Sequence, residues 1–357
     1  MPGYGVLLMK NKALIFVSVF AFLILIVLIT VKPEICKNSA INGILLCGKV
    51  VIPSLFPFTA CVLFITKSGI ISRFNMLDRI TEKIFGLSSY FFFLVLLSFL
   101  GGYPIGAKLL NEASNNKNIS PEKAGKMLNY CVNAGPAFIV GAVGSGILGS
   151  KEIGYILLIS HLLSSVIFIF ILKDRKAVYN NTVPKTPSFS DCFVESVASA
   201  ADVCIKICGF VMFFSVITAY IEAFSYLSPA LKIFPFILEI TTAIPKTNNI
   251  YLISFLLSFS GICVWCQIIA LSKNIKINFI SFVFLRLLHG GLSCIFTVVA
   301  VRILGVASGC ISNNISFSAH AFYTTPALSF SLIIMTLIFL ISLFSKKHTG
   351  KFTEDVI

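Results

Sequence analysis

Two pairs of polar side chains stand at helical spacing within apolar stretches of the chain. Arg286 and His289 lie three residues apart, and Asn129 and Asn133 lie four apart, so each pair shares one helix face. A guanidinium can hold a carboxylate through two parallel hydrogen bonds, and an imidazole or amide can add a further donor. Both pairs are typical of a binding site for a small polar molecule, although buried amides also bond neighbouring membrane helices.

Four further side chains can contact a ligand, and most of them also have a purely structural interpretation. Lys108 can pair with a carboxylate or extend to the membrane surface as an anchor. Tyr103 can stack on a planar ligand or fill a bend, and Gln267 can offer a ligand a polar contact. Glu239 can bind a proton or a cation, or it can be a hydrogen-bonded acid at the membrane interface. Arg286, near one end of its apolar run, can likewise reach lipid headgroups.

Four of these eight residues lie in or beside two interruptions of apolar segments, which we call the first break (residues 101–108) and the second break (residues 133–136). In hydrocarbon every backbone N–H and C=O needs a partner, so a broken helix is tolerated only beside protein or a water-filled cavity. The half-helix ends at such breaks offer partial charge and unpaired backbone groups to a bound molecule. We therefore predict that the backbone of both breaks lines the site, through Gly101, Gly102, Pro104, Gly106, Gly135 and Pro136.

The sequence holds no Ser/His/Asp arrangement, phosphate-binding loop or pair of carboxylates typical of an enzyme. We therefore expect no catalytic residue and no cofactor. Cys263 and Cys266 form a single CxxC motif, but zinc needs two more ligands at suitable spacing. The motif predicts packing rather than a metal site.

The composition excludes an ordinary soluble enzyme. Hydrophobic residues make up 57% of the 357 residues and charged residues 12%, with a mean hydropathy of +0.97, whereas soluble domains are about 25% charged. Several apolar runs reach the roughly 20 residues needed to cross a bilayer. The sequence predicts an all-α polytopic membrane protein with about 8–10 transmembrane or re-entrant helices.

The net charge of +14 does not indicate nucleic acid as a partner. Lys and Arg fall mostly between the apolar runs, where the positive-inside rule and anionic lipid headgroups account for them. No basic stripe with interleaved aromatic residues is present. The expected partners are the lipid bilayer, a small anionic molecule and an unidentified coupling ion.

A shift of the chain by 160 residues aligns the sequence LLSFLG, residues 96–101, with LLSFSG, residues 256–261. Transporter folds are commonly built from such repeats, with the site between them. The distribution of basic residues favours a re-entrant pass near the first break, which makes the halves inverted. We predict two pseudo-symmetric, inverted repeats with broken helices at the midplane, in which residues 101–108 approach residues 261–267.

The chain is predicted to divide into five regions. They are an N-terminal transmembrane helix (1–35), a first repeat (36–178), a polar linker (179–192), a second repeat (193–345) and a polar tail (346–357). In the first repeat, Pro53 and Pro57 predict a kinked span, because each proline removes a backbone donor. Residues 70–85 mix charged and apolar side chains and predict an amphipathic helix along the interface.

Three motifs together carry a family resemblance: Gly101-Gly102-Tyr103-Pro104-Ile105-Gly106-Ala107-Lys108, the glycine-rich residues 133–146, and Arg286-Leu287-Leu288-His289-Gly290. With them the chain resembles the YlbJ-like sporulation integral membrane proteins, which carry the nucleoside-recognition Gate domain, and both repeats are Gate-like. The resemblance runs from about residue 40 to residue 344. Glu239 lies in a stretch similar to an acidic–Thr motif of these proteins, except that Ala243 stands where glycine is expected.

The resemblance implies an integral membrane protein of endospore-forming bacteria. It implies transport of dipicolinate (pyridine-2,6-dicarboxylate), a small planar anion, across the outer forespore membrane. Gate domains also occur in concentrative nucleoside transporters, so transport of a nucleoside-like molecule is one alternative. A membrane component of a sporulation or spore-cortex complex that transports nothing is the other.

Overall fold

The computed structural model describes residues 3–173 and 188–305. The predicted linker up to residue 187, the predicted last span near residues 326–344 and the polar tail lie outside the described residues. The described part is helical and contains no strand. Its helices are α1 Gly3–Val31, α2 Pro33–Leu46, α3 Ile52–Lys67, α4 Asp78–Phe85, α5 Ser89–Gly101, α6 Tyr103–Asn115, α7 Pro121–Cys131, α8 Lys151–Ile171, α9 Phe189–Ala223, α10 Phe234–Leu238, α11 Ile240–Ala243, α12 Ile250–Phe259, α13 Gly261–Leu271 and α14 Phe279–Leu304, with π-helices Cys47–Val51 and Ala137–Ile147.

Five helical segments of the described residues are long and apolar enough to cross a membrane. They are Pro33–Lys67, Lys151–Ile171, Phe189–Ala223, Ile250–Leu271 and Phe279–Leu304. Helices α4 and α5, bent by 68° against each other, form a sixth candidate, and shorter apolar helices occupy Ile15–Val31 and Ala137–Ile147. The chain is an all-α polytopic membrane protein, as its composition predicts.

In the candidate span Pro33–Lys67, Pro53 and Pro57 coincide with a local change of helix type. The π-helix Cys47–Val51 directly precedes Pro53, and Pro57 lies inside α3. Because proline has no N–H, Pro53 cannot donate to the carbonyl of Lys49, and the helix widens before it.

Helix α9 begins at Phe189, four residues before the predicted start of the second repeat at residue 193. Ser188 caps the helix by accepting a hydrogen bond from the backbone N–H of Asp191, at 3.2 Å. Asp191 adds an acidic side chain in the first turn, where the helix dipole favours negative charge. The polar composition that indicates a linker here belongs in part to a helix start.

The amphipathic segment near residues 70–85 also differs from a single helix. Two 3₁₀ turns, Ile70–Arg73 and Asn75–Leu77, lead into the short helix α4. The Asp78 carboxylate accepts from the backbone N–H and the hydroxyl of Ser89, at 2.7 and 2.5 Å. These bonds fix α4 to the start of α5.

The packing of the helices brings the two predicted repeats together. Helices α2 and α3 pack against α9, and α8 packs against both α14 and the π-helix Ala137–Ile147. Helix α12 packs on α14, while α6 contacts α5, α7 and α13. The helices that carry the predicted site residues therefore meet in one core.

The broken helix of the first repeat has a counterpart in the second. Helices α5 and α6 are separated at Gly102, and α12 and α13 are separated at Ser260. Residues 101–108 are predicted to approach residues 261–267, and this is confirmed because α6 packs on α13. The Tyr103 hydroxyl also donates to the Leu257 carbonyl near the end of α12, at 2.5 Å. The inverted orientation of the halves stays a prediction.

Candidate functional site

The first and second breaks touch each other through their backbones. Gly102, with φ of +83°, separates α5 from α6, a conformation that strongly favours glycine. A Cβ built on Gly135 would lie 3.3 Å from both the Gly102 nitrogen and the Leu100 carbonyl oxygen. The first and second breaks, whose backbones are predicted to line the site, are therefore in direct contact.

Gly106 serves a close approach of α6 to α7. A Cβ at this position would lie 1.9 Å from the carbonyl oxygen of Cys131, a distance that no side chain can tolerate. At Gly101 a Cβ would meet the side chain of Ile105, one turn on. Tight packing thus explains glycine at both positions, and Pro104 lies buried in the first turn of α6.

Arg286 lies at the centre of this region and is fully buried, with 0% of its surface exposed. Its Nη1 donates to the Val132 carbonyl at 2.7 Å and to the Ser258 carbonyl at 3.4 Å, and Nη2 donates to the Asn129 carbonyl. Those carbonyls belong to the ends of α7 and α12, beside the second break and the break at Ser260. Arg286 therefore connects broken helices from both halves.

The charge of Arg286 is balanced by dipoles and not by an acid. Within residues 3–173 and 188–305, no Asp or Glu forms an ion pair with it, and its Nε has no hydrogen-bond partner. Each helix C-terminus carries about half a negative charge, so the ends of α7 and α12 stabilise the guanidinium. Its Nε–H remains a free donor in a buried site.

Two histidines extend the polar network from α14 to α8. The backbone N–H of Ala134 donates to Nε2 of His161 at 3.0 Å, so this nitrogen is unprotonated. The proton of His161 therefore sits on Nδ1, which lies 2.7 Å from the Ser258 hydroxyl. Both nitrogens of this neutral imidazole are used.

His289 has one nitrogen in use and one free. Its Nε2 lies 3.2 Å from the His161 carbonyl and 3.1 Å from the Ser165 hydroxyl. A carbonyl only accepts, so Nε2 carries the proton. Nδ1 is then an unprotonated nitrogen, buried and without a hydrogen-bond partner in the part of the chain that the structure describes. The rings of His161 and His289 pack with centroids 4.9 Å apart.

The two asparagines hold the end of α7. Asn133 donates to the Tyr130 carbonyl at 2.7 Å and accepts from the Ser165 hydroxyl. Asn129 donates to the Lys126 carbonyl at 2.9 Å, and its Oδ1 is buried without a partner. Among the described residues, three buried polar atoms of the network thus have no hydrogen-bond partner: the Arg286 Nε, the His289 Nδ1 and the Asn129 Oδ1.

Two predicted site residues, Lys108 and Gln267, have their polar partners close by in sequence. Lys108 forms an ion pair with Glu112, four residues on, at 3.3 Å. Gln267 donates to the Cys263 sulfur at 3.4 Å, a packing contact of the CxxC motif.

Glu239 does not lie at an exposed interface, because its surface is 1% exposed. Its carboxylate caps α11 by accepting from the backbone N–H groups of Thr241 and Thr242, at 3.1 and 2.7 Å. The Thr241 hydroxyl adds a third hydrogen bond at 2.7 Å.

A cleft of about 470 Å³ opens between the starts of α7 and α14. Glu122 and Lys276 form an ion pair across it at 2.7 Å, and this contact lowers the pKa of Glu122. Asn129, whose carbonyl holds Arg286, lies in the wall of the cleft. The cleft is lined by Glu122, Gly125, Lys126, Asn129, Lys276, Ile277, Asn278 and Ser281. Only Asn129 therefore separates the cleft from the Arg286 guanidinium at this point.

The predicted set of site residues does not include three members of the network: His161, Ser165 and Ser258. His161 and Ser165 stand four apart in an apolar span, the same signal that marks Asn129 and Asn133. Ser258 belongs to the repeated LLSF sequence. Polar residues at helical spacing in a plain span are thus a signal for the site.

The chain is similar to the sporulation integral membrane protein YlbJ of Bacillus subtilis (strain 168), with 24% identity over 341 residues. The match covers 82% of this chain and 83% of that protein. No protein-family model matches the chain, and no solved structure matches it significantly. The similarity confirms the predicted resemblance to the YlbJ-like proteins, while the Gate domain stays a prediction.

Proposed function

We propose that the protein is a sporulation membrane transporter that moves a small planar anion, dipicolinate, across the outer forespore membrane. The observation that carries the proposal is the fully buried Arg286 without an acidic partner among the described residues. The similarity to a sporulation integral membrane protein supports the setting.

A buried cation without a counter-ion favours an anionic ligand. Removing a charge from water costs several kcal/mol even after a protein relaxes around it. The carbonyls at the ends of α7 and α12 offset part of this cost, and the Nε–H still lacks an acceptor. A carboxylate can accept from Nε and one Nη together, the geometry that arginine offers to such groups. A nucleoside is neutral and leaves the charge unbalanced.

The cleft supplies a route to this cation. The basic side chains of its lining are Lys126 and Lys276, the latter paired with Glu122, and Arg286 lies behind the Asn129 backbone. In this structure the end of α7 closes the way, because its carbonyls hold the guanidinium. Release of those carbonyls would exchange helix-end dipoles for a carboxylate, and a rocking of one repeat against the other would supply that movement.

The rival function is a membrane component of a sporulation complex that transports nothing. Close helix contacts at glycines favour it, because they are explained by packing alone. A Cβ on Gly144 would lie 2.6 Å from the Gly154 Cα, and small residues at helix crossings are common in membrane proteins for packing alone. A packing role accounts for the carbonyls that Arg286 holds, but it leaves the buried Nε–H without an acceptor among the described residues.

Uptake by proteoliposomes separates the two functions. Purified full-length protein should accelerate the entry of labelled dipicolinate above the rate in empty liposomes, and labelled nucleosides should not enter faster. Equal rates in empty and protein-loaded liposomes, across pH and salt gradients, would refute transport.

A further inference from the structure

The charges of the proposed substrate and of the site do not match. Dipicolinate carries two ionised carboxylates at neutral pH, whereas Arg286 supplies one positive charge. The complex of the two would leave one net negative charge within a fully buried network. A buried site strongly disfavours such an unbalanced charge.

The unused nitrogen of His289 can supply the missing positive charge. Nε2 already donates toward the His161 carbonyl, so a proton can add only to the lone pair of Nδ1. His161 cannot take this role, since one of its nitrogens accepts from Ala134 and the other lies against Ser258. His289 stands one turn from Arg286 on the same face of α14.

The surroundings of His289 keep it neutral until an anion is present. Among the described residues, the charged and titratable groups beside it are Arg286, one turn before it on α14, and His161 on α8, whose ring centroid lies 4.9 Å away. Helix α12, packed on the same part of α14, carries no charged side chain, and α7 carries its charges in its first two turns. A proton on Nδ1 would thus add a second positive charge beside the guanidinium, which is unfavourable without a counter-ion.

We propose that His289 is the proton-binding site of this transporter, and that each bound dianion is accompanied by one proton on its Nδ1. The inference rests on the proposed function, because it takes the ligand to be a dianion. The proton comes from water and adds to a free lone pair, and the new N–H can donate to the second carboxylate. Arginine, imidazolium and dianion together are neutral, so the coupling ion is a proton.

Calorimetry of the full-length protein in detergent tests the coupling. Heats of dipicolinate binding in two buffers of different ionisation enthalpy give the number of protons taken up. The wild type should take up about one proton per dianion, and its affinity should fall about tenfold per unit rise between about pH 6 and 8.

Two variants assign the proton. His289→Gln keeps a donor near the Nε2 position but cannot take a proton, so it should bind dipicolinate more weakly with no proton uptake and a flat pH profile. His161→Asn should still take up a proton on binding. Binding by the wild type without a proton, or full proton uptake by His289→Gln, would overturn the inference and leave the proposed function standing. No binding of dipicolinate at any pH would refute the proposed function and the coupling with it.

Discussion

Replacing Gly106 by alanine tests the contact between α6 and α7 on which the site depends. A Cβ there would lie 1.9 Å from the Cys131 carbonyl oxygen, whereas an ordinary contact is at least 3.4 Å. The two helices would have to separate by about 1.5 Å, and the atom in the way is backbone, which cannot rotate aside. Overpacking of this kind costs about 1–3 kcal/mol, and the displaced end of α7 also carries the carbonyls that hold Arg286.

The matched control is Gly209→Ala, because Gly209 lies exposed in the middle of α9 with nothing within 4 Å of its Cβ position. Alanine in a helix is favoured over glycine by about 1 kcal/mol, so this variant should be as stable as the wild type or more stable. Thermal unfolding in detergent, followed by helical circular dichroism, should give a lower midpoint for Gly106→Ala alone. Equal midpoints for the two variants would refute the close approach of α6 and α7.

Two further substitutions test residues that lie beside the central network. Lys108→Ala should weaken dipicolinate binding less than about fivefold, because its charge already has Glu112 as a partner; a loss of tenfold or more would place Lys108 on the ligand. Glu239→Gln turns an amide NH₂ toward a backbone N–H that now donates to the carboxylate, and it should cost about 1–3 kcal/mol of stability. Glu222→Gln, at an exposed ion pair with Lys246, is its control, and equal unfolding midpoints would show that Glu239 does not cap α11 as a carboxylate.

The local features of the site could be predicted because they follow from rules of short range. Glycine and proline mark both breaks, and spacing places Arg286 with His289 on one helix face. A charge deep in an apolar span must face protein or a cavity, so the sequence predicts the burial of Arg286, which is 0% exposed.

The partners of these residues could not be predicted, since they come from distant parts of the chain. Arg286 bonds the Asn129 carbonyl 157 residues away, and His289 reaches Ser165 across 124 residues. Nor does composition tell a ligand residue from one with a local partner: Lys108 and Gln267 are polar in apolar surroundings, yet each contacts its own helix. The start of α9 inside the polar linker was missed because a serine cap and an acidic first turn resemble a loop in composition.

Arg286 is the residue proposed to bind the anion. The direct measurement is the dissociation constant for dipicolinate of Arg286→Gln beside Arg302→Gln, an exposed arginine on the same helix. Hydrogen bonds to a charged group contribute about 1.5–3 kcal/mol, so Arg286→Gln should bind roughly 10- to 150-fold more weakly, and Arg302→Gln should match the wild type. Equal affinities of wild type and Arg286→Gln for dipicolinate would contradict the account.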